Sequence, residues 1–87
     1  MIDIKEACRR AIEYLERLYP DQELDAALEE AELTDDDRYW LVTLSVKRVT
    51  PVGGAGESVF GENRTYKIFK LLAETGEVRS MKMRAFK

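Results

Sequence analysis

Tyr39-Trp40-Leu41-Val42-Thr43-Leu44-Ser45-Val46-Lys47-Arg48-Val49 is the stretch on which the fold turns. In an extended chain, Trp40, Val42, Leu44 and Val46 fall on one side, and Tyr39, Leu41, Thr43, Ser45 and Lys47 on the other. A period of two in β-branched and aromatic residues predicts a strand with one wholly apolar face. The neighbouring strand must share that pattern, and the sequence downstream supplies it twice. Residues 64–73 form a second β segment, apolar at both parities: Tyr66, Ile68 and Leu72 at even positions, Phe69 and Leu71 at odd ones. Glu74-Thr75-Gly76-Glu77 then gives a glycine turn. Residues 78–86 make the last strand, with Met81 and Met83 on one face and Ser80, Lys82 and Arg84 on the other. Between Val49 and Arg64 lies the one long loop-like stretch, carrying Pro51, Gly53, Gly54, Gly56 and Gly61.

Upstream, the period changes. Ile4, Ala7, Cys8, Ala11, Ile12, Leu15, Leu18 and Tyr19 recur at helical spacing, with Lys5, Glu6, Arg9, Arg10, Glu13, Glu16 and Arg17 on the opposite side. Asp3 is placed to cap this helix, and Pro20 to end it, because the residue before a proline is pushed out of the α region. Residues 21–38 read two ways. Residues 22–32 are rich in helix formers, and Leu24, Leu28 and Ala31 share a helical face; residues 27–33 serve equally as a short strand before the turn Thr34-Asp35-Asp36-Asp37. The strand is favoured, since the β segment that follows offers it a hairpin partner.

The expected architecture is therefore α+β: one N-terminal amphipathic helix packed on a three- to four-stranded antiparallel β-meander, in a single domain over residues 1–87. One helix covers one face of such a sheet and no more. An uncovered face normally reads polar. Here it does not, because whichever parity of residues 64–73 meets the helix, the other stays outside. The expected interaction surface thus draws on Tyr39, Leu41, Tyr66, Ile68, Phe69 and Leu71, with Lys82 and Arg84 as its basic surround and Phe60 from the loop.

Composition limits what such a surface does. The 87 residues are 45% hydrophobic and 36% charged, which excludes disordered and membrane-spanning classes. There is no histidine and a single cysteine, so the commonest general base, the commonest metal ligand and any disulfide framework are all missing. The first residues alternate charged and apolar side chains and lack the apolar run of a secretory signal. A cytoplasmic setting with a reduced thiol is expected. The net charge of −3 hides an uneven chain: residues 1–38 carry thirteen acidic and five basic side chains, residues 39–87 four acidic and nine basic. The simplest expectation is that the two halves neutralise each other across the fold.

Short motifs add little chemistry. Gly53-Gly54-Ala55-Gly56-Glu57-Ser58 opens no helix and lacks the following Lys-Ser or Lys-Thr of a phosphate-binding loop, so a hairpin connection is the better reading. Val52, Val59 and Phe60 are apolar for a loop tip and suggest that it docks. Asp35, Asp36 and Asp37 lack the alternating ligand spacing of a calcium loop and read as turn formers. Cys8 sits on the apolar helix face, away from Arg9 and Arg10, and reads as an inert buried thiol. Glu29, Glu30 and Glu32 have no apolar pocket to raise a carboxyl pKa. No catalytic constellation, cofactor or metal site is expected.

Residues 4–19, then Arg38-Tyr39-Trp40-Leu41-Val42-Thr43-Leu44, then Tyr66-Lys67-Ile68-Phe69 running into Thr75-Gly76-Glu77-Val78, give a layout that resembles the PepSY-like small domains within the wider cystatin-like style. The PepSY pattern often has an aspartate shortly before that turn, where this chain has Leu72. The resemblance implies a helix on an antiparallel sheet and a binding or regulatory module, and carries no catalytic residue onto this chain. The expected function is a non-enzymatic interaction protein, of immunity, antitoxin or inhibitor type, meeting a protein partner or a second copy through its open sheet. The alternative is a small nucleic-acid-binding module using Lys67, Lys70, Lys82, Arg84 and Lys87 between Tyr66 and Phe69.

Overall fold

Asp3 caps the first helix as anticipated: its side chain accepts from the Glu6 amide at 2.8 Å at the head of α1, Ile4–Leu18. The computed structural model describes residues 1–49 and 64–84. After α1 come β1 (Leu24–Leu33), β2 (Tyr39–Arg48), β3 (Thr65–Leu72) and β4 (Val78–Arg84), paired antiparallel in the order β1-β2-β3-β4. This is an open four-stranded meander with the helix on one face.

The helix ends where proline requires. Tyr19 is the C-cap at φ −128° and ψ 65°, outside the α region, and Pro20 follows. Ala7, Ala11 and Leu15 form the fully buried stripe of α1, packed on Val42, Leu44, Phe69 and Leu71. Two alanines in that stripe let the helix backbone come close to the sheet. Its solvent side carries an ion-pair network in which Glu6 accepts from both Arg9 and Arg10, while Arg9 also reaches Glu13. The two guanidiniums hold the Glu6 carboxyl down to about 2, mainly through these hydrogen bonds. Replacing Asp3 by alanine removes the cap and is expected to lower stability by about 1 kcal/mol, read from the urea midpoint.

Residues 24–33 are strand throughout, longer than the 27–33 segment favoured from sequence, and the helical alternative is overturned. The ladder to β2 slips between Leu28 and Glu30, leaving Glu29 as an extra residue. That bulge resets parity. Leu24, Ala26 and Leu28 lie on the helix side before it, Ala31 and Leu33 after it, although their numbers change from even to odd. A second slip puts Leu71 opposite Val78 and Lys70 opposite Ser80, so Arg79 is the extra residue in β4. It keeps Val78, Met81 and Met83 together on the helix side. Both edge strands are thus bulged.

The β1–β2 turn is closed by its own side chains. Thr34 Oγ1 donates to Asp36 Oδ1 at 2.7 Å, the Arg38 amide donates to the same oxygen, and Asp37 takes φ +60°. Both bonds favour the charged form and lower the Asp36 pKa. The aspartates therefore act as turn formers. At the other hairpin Gly76 adopts φ +85° and donates to the Leu72 carbonyl at 2.7 Å. The N-terminus is sewn to the same end of the sheet, with the Ile2 amide donating to the Ala73 carbonyl and Trp40 Nε1 to the Ile2 carbonyl.

Candidate interaction face of the sheet

Register decides which side chains the helix leaves uncovered. Val42 pairs with Phe69 and Trp40 with Leu71, so Phe69 and Leu71 share the helix side with the tryptophan face, and both are fully buried. Their assignment to the outer surface is corrected accordingly. Phe69 also meets Tyr14 of α1 edge-on, with ring centroids 6.2 Å apart. Thr43 pairs with Ile68, Ser45 with Tyr66 and Tyr39 with Leu72, which puts the even set of β3 outside. Tyr39, Leu41, Tyr66 and Ile68 do lie together on the outer face, each half-buried, with Arg84 half-buried and Lys82 exposed at its β4 side. Phe60, Val52, Val59 and the Gly53–Ser58 reading all lie outside the described residues.

The two ends of this face differ. Toward the hairpin turns it is apolar, built from Tyr39, Leu41, Ile68 and Leu72, and Lys70 lays its ammonium over the Tyr39 ring at 4.2 Å. That contact is a cation–π pair, and it occupies one of the basic groups. Toward the opposite end the face is polar and closed. Thr43 and Ser45 are 3% and 0% exposed there, although no helix lies on this side.

A side-chain lattice closes it. Ser45 Oγ donates to Glu29 Oε2 at 2.8 Å and accepts from Arg64 Nε at 3.1 Å. Arg64 also donates to the Ser45 and Asp25 carbonyls, each at 3.3 Å, and pairs with the Asp25 carboxylate at 3.4 Å. The β1 bulge brings Glu29 to the Ser45 side of the sheet beside Glu30. Arg84 then reaches Glu30 at 3.0 Å. Strands spaced about 4.8 Å apart hold β1 and β4 roughly 14 Å apart, so this pair spans the full width of the face. One ion pair, Arg84–Glu30, thus joins acidic β1 to basic β4 across the sheet.

Sequence reasoning named Tyr39, Leu41, Tyr66 and Ile68 for this face, left Leu72 out of it, and missed the lattice. Two signals pointed to it. Thr43 and Ser45 are polar within the otherwise apolar run from Tyr39 to Val46, and the apolar parity of β1 breaks at Glu29. Elsewhere, Cys8 packs half-buried against the core, and desolvation pushes its thiol pKa up, the opposite of an activated nucleophile. Met81 packs on the core, whereas Met83 is 70% exposed on the edge strand. Among the described residues no helix is long and apolar enough to cross a membrane. No family model, curated protein or solved structure matches this chain.

Proposed function

We propose that the protein is a non-enzymatic interaction module that binds a protein surface, a partner or a second copy, through the outer face of its sheet. The observation that carries this reading is the apolar end of that face, Tyr39, Leu41, Ile68 and Leu72, on the side of the sheet away from α1. A charged rim on both sides of an apolar centre is the usual anatomy of a protein interface. The face is favoured over the edges, because the bulges at Glu29 and Arg79 and the charges on β1 and β4 obstruct the addition of a further strand. Immunity, antitoxin or inhibitor roles all use a surface of this kind. A cytoplasmic setting goes with this reading, with Cys8, the sole cysteine, kept reduced.

The nucleic-acid alternative draws less support. Arg84 is held by Glu30 and Lys70 by the Tyr39 ring, while Asp25, Glu29, Glu30 and Glu32 share the face with them. Such a module needs a continuous basic surface.

Leu41→Lys is the test. Placing a charge in the apolar end is expected to weaken partner binding or self-association by about tenfold or more, while the thermal midpoint moves by only a few degrees, because Leu41 lies outside the helix-side core. Unchanged association, measured both by light scattering and by capture from the native host, sinks the reading.

A further inference from the structure

Beside the apolar end of the outer face, two charges have no partner within the chain among the described residues: Glu32, in the acidic edge strand β1, and Lys82, in the basic edge strand β4; Lys47, likewise without one, lies at the far end of the face in the row of Asp25. Asp25, Glu29 and Glu30 are engaged by Arg64, Ser45 and Arg84. Lys70 sits on Tyr39. Glu32 lies in the register row of Leu41, Lys70 and Ser80, and Lys82 in the adjacent row of Glu30, Thr43 and Ile68. The unpaired acid and the unpaired base therefore stand at opposite margins, one row apart, with the apolar end between them.

We propose that the outer face pairs with a second copy of this chain about a two-fold axis running along the strands. This rests on the interaction reading above and names its partner. Two sheets stacked face to face keep their strands nearly aligned, and two axis directions satisfy that. An axis across the strands sets β1 over β1 and faces Glu30 and Glu32 with their own copies, which is repulsive. An axis along the strands sets β1 over β4. Lys82 of each copy then meets the Glu30–Glu32 margin of the other, and Tyr39 of each meets Leu72 of the other, since the two occupy one row. The charges at the two margins favour that orientation over the other.

The area is sufficient. Four strands about 4.8 Å apart, eight residues long at about 3.3 Å each, cover roughly 500 Å² per copy. The total of about 1,000 Å² meets the lower bound for a specific interface and fits a weak, reversible dimer.

The experiment is charge reversal followed by light scattering and sedimentation of the full chain over ~10 μM to ~1 mM, where mass action shifts a weak dimer. The wild-type mass is expected to rise from 10.0 kDa toward twice that value. Lys82→Glu and Glu32→Lys should each weaken association by about tenfold, and the double variant should restore it to within about threefold of wild type, since both cross-interface contacts are re-formed. Both side chains are exposed, so the fold tolerates the changes, and circular dichroism checks this. A wild-type chain that stays at 10.0 kDa overturns self-pairing but not the interaction face, which Leu41→Lys then tests against a captured partner. A dimer that Leu41→Lys disrupts but the double variant fails to rescue overturns the axis. A dimer indifferent to all three overturns both readings.

Discussion

Replacing Phe69 by alanine is expected to lower the unfolding free energy by about 3–5 kcal/mol, the range for truncating a buried phenylalanine. The ring is fully buried, pairs with Val42 and Met81 in the ladder, and meets Tyr14 of α1 edge-on. It is the largest of the fully buried side chains among the described residues, and the cavity left behind borders both the helix and the sheet. A domain of this length is held by only about 4–13 kcal/mol in total, so the variant should fall close to the unfolding threshold. Ile68→Ala supplies the control on the same strand. Its side chain is half-buried on the opposite face, and the expected loss is about 1 kcal/mol. Urea denaturation of the two variants side by side measures the difference, and equal losses would refute the register that puts Phe69 inside.

The second large effect is expected at Gly76. Its φ of +85° is a region that side-chain-bearing residues rarely adopt, and a β-carbon there would stand 2.5 Å from Cδ and 2.7 Å from Nε of Arg10. Gly76→Ala must therefore strain the turn and displace the arginine that holds Glu6 at 2.7 Å. The expected cost is about 2 kcal/mol, roughly half of it backbone strain. Arg10→Ala in the same chain removes the clash but not the strain. The double variant should thus be more stable than the two single losses predict when added, a coupling that a double-mutant cycle reads directly. Additive losses would mean that the helix and the β3–β4 hairpin do not touch through this pair.

What could be read in advance differs from element to element for physical reasons. The helix was plain because its apolar residues repeat at 3.6 over four turns between a capping aspartate and a proline. β2 was plain because its residues alternate cleanly over ten positions. β1 was not. Residues 27–32, Ala-Leu-Glu-Glu-Ala-Glu, are strong helix formers, and they are extended here because ladder bonds to β2 and burial of Leu24, Ala26, Ala31 and Leu33 against the helix side outweigh a local preference of a few tenths of a kcal/mol per residue. Its bulge hid the alternation as well, since the apolar positions switch from even to odd at Glu29.

For the candidate site, Tyr39, Leu41, Lys82 and Arg84 were legible as lying opposite the core-forming residues of their strands, whereas in β3 the sequence named both parities, and only the register puts Tyr66 and Ile68 outside and Phe69 and Leu71 inside. The lattice of Ser45, Glu29, Arg64, Asp25, Glu30 and Arg84 was invisible. Its bonded pairs are up to 54 positions apart in sequence, and they meet only once three strand pairings have been made.

Sequence alone determined the elements whose information is local: a helix from its period and its caps, strands from alternation, and a hairpin from the Thr-Gly-Glu turn. It also determined that one helix must leave a sheet face uncovered. Only the tertiary structure decided which face that is. β3 is apolar at both parities, so a shift of one residue would exchange Phe69 for Ile68 without any local penalty. The pairing with β2 breaks that degeneracy, because Trp40, Val42 and Leu44 are all on one side, and the helix packs where Phe69 and Leu71 can join them.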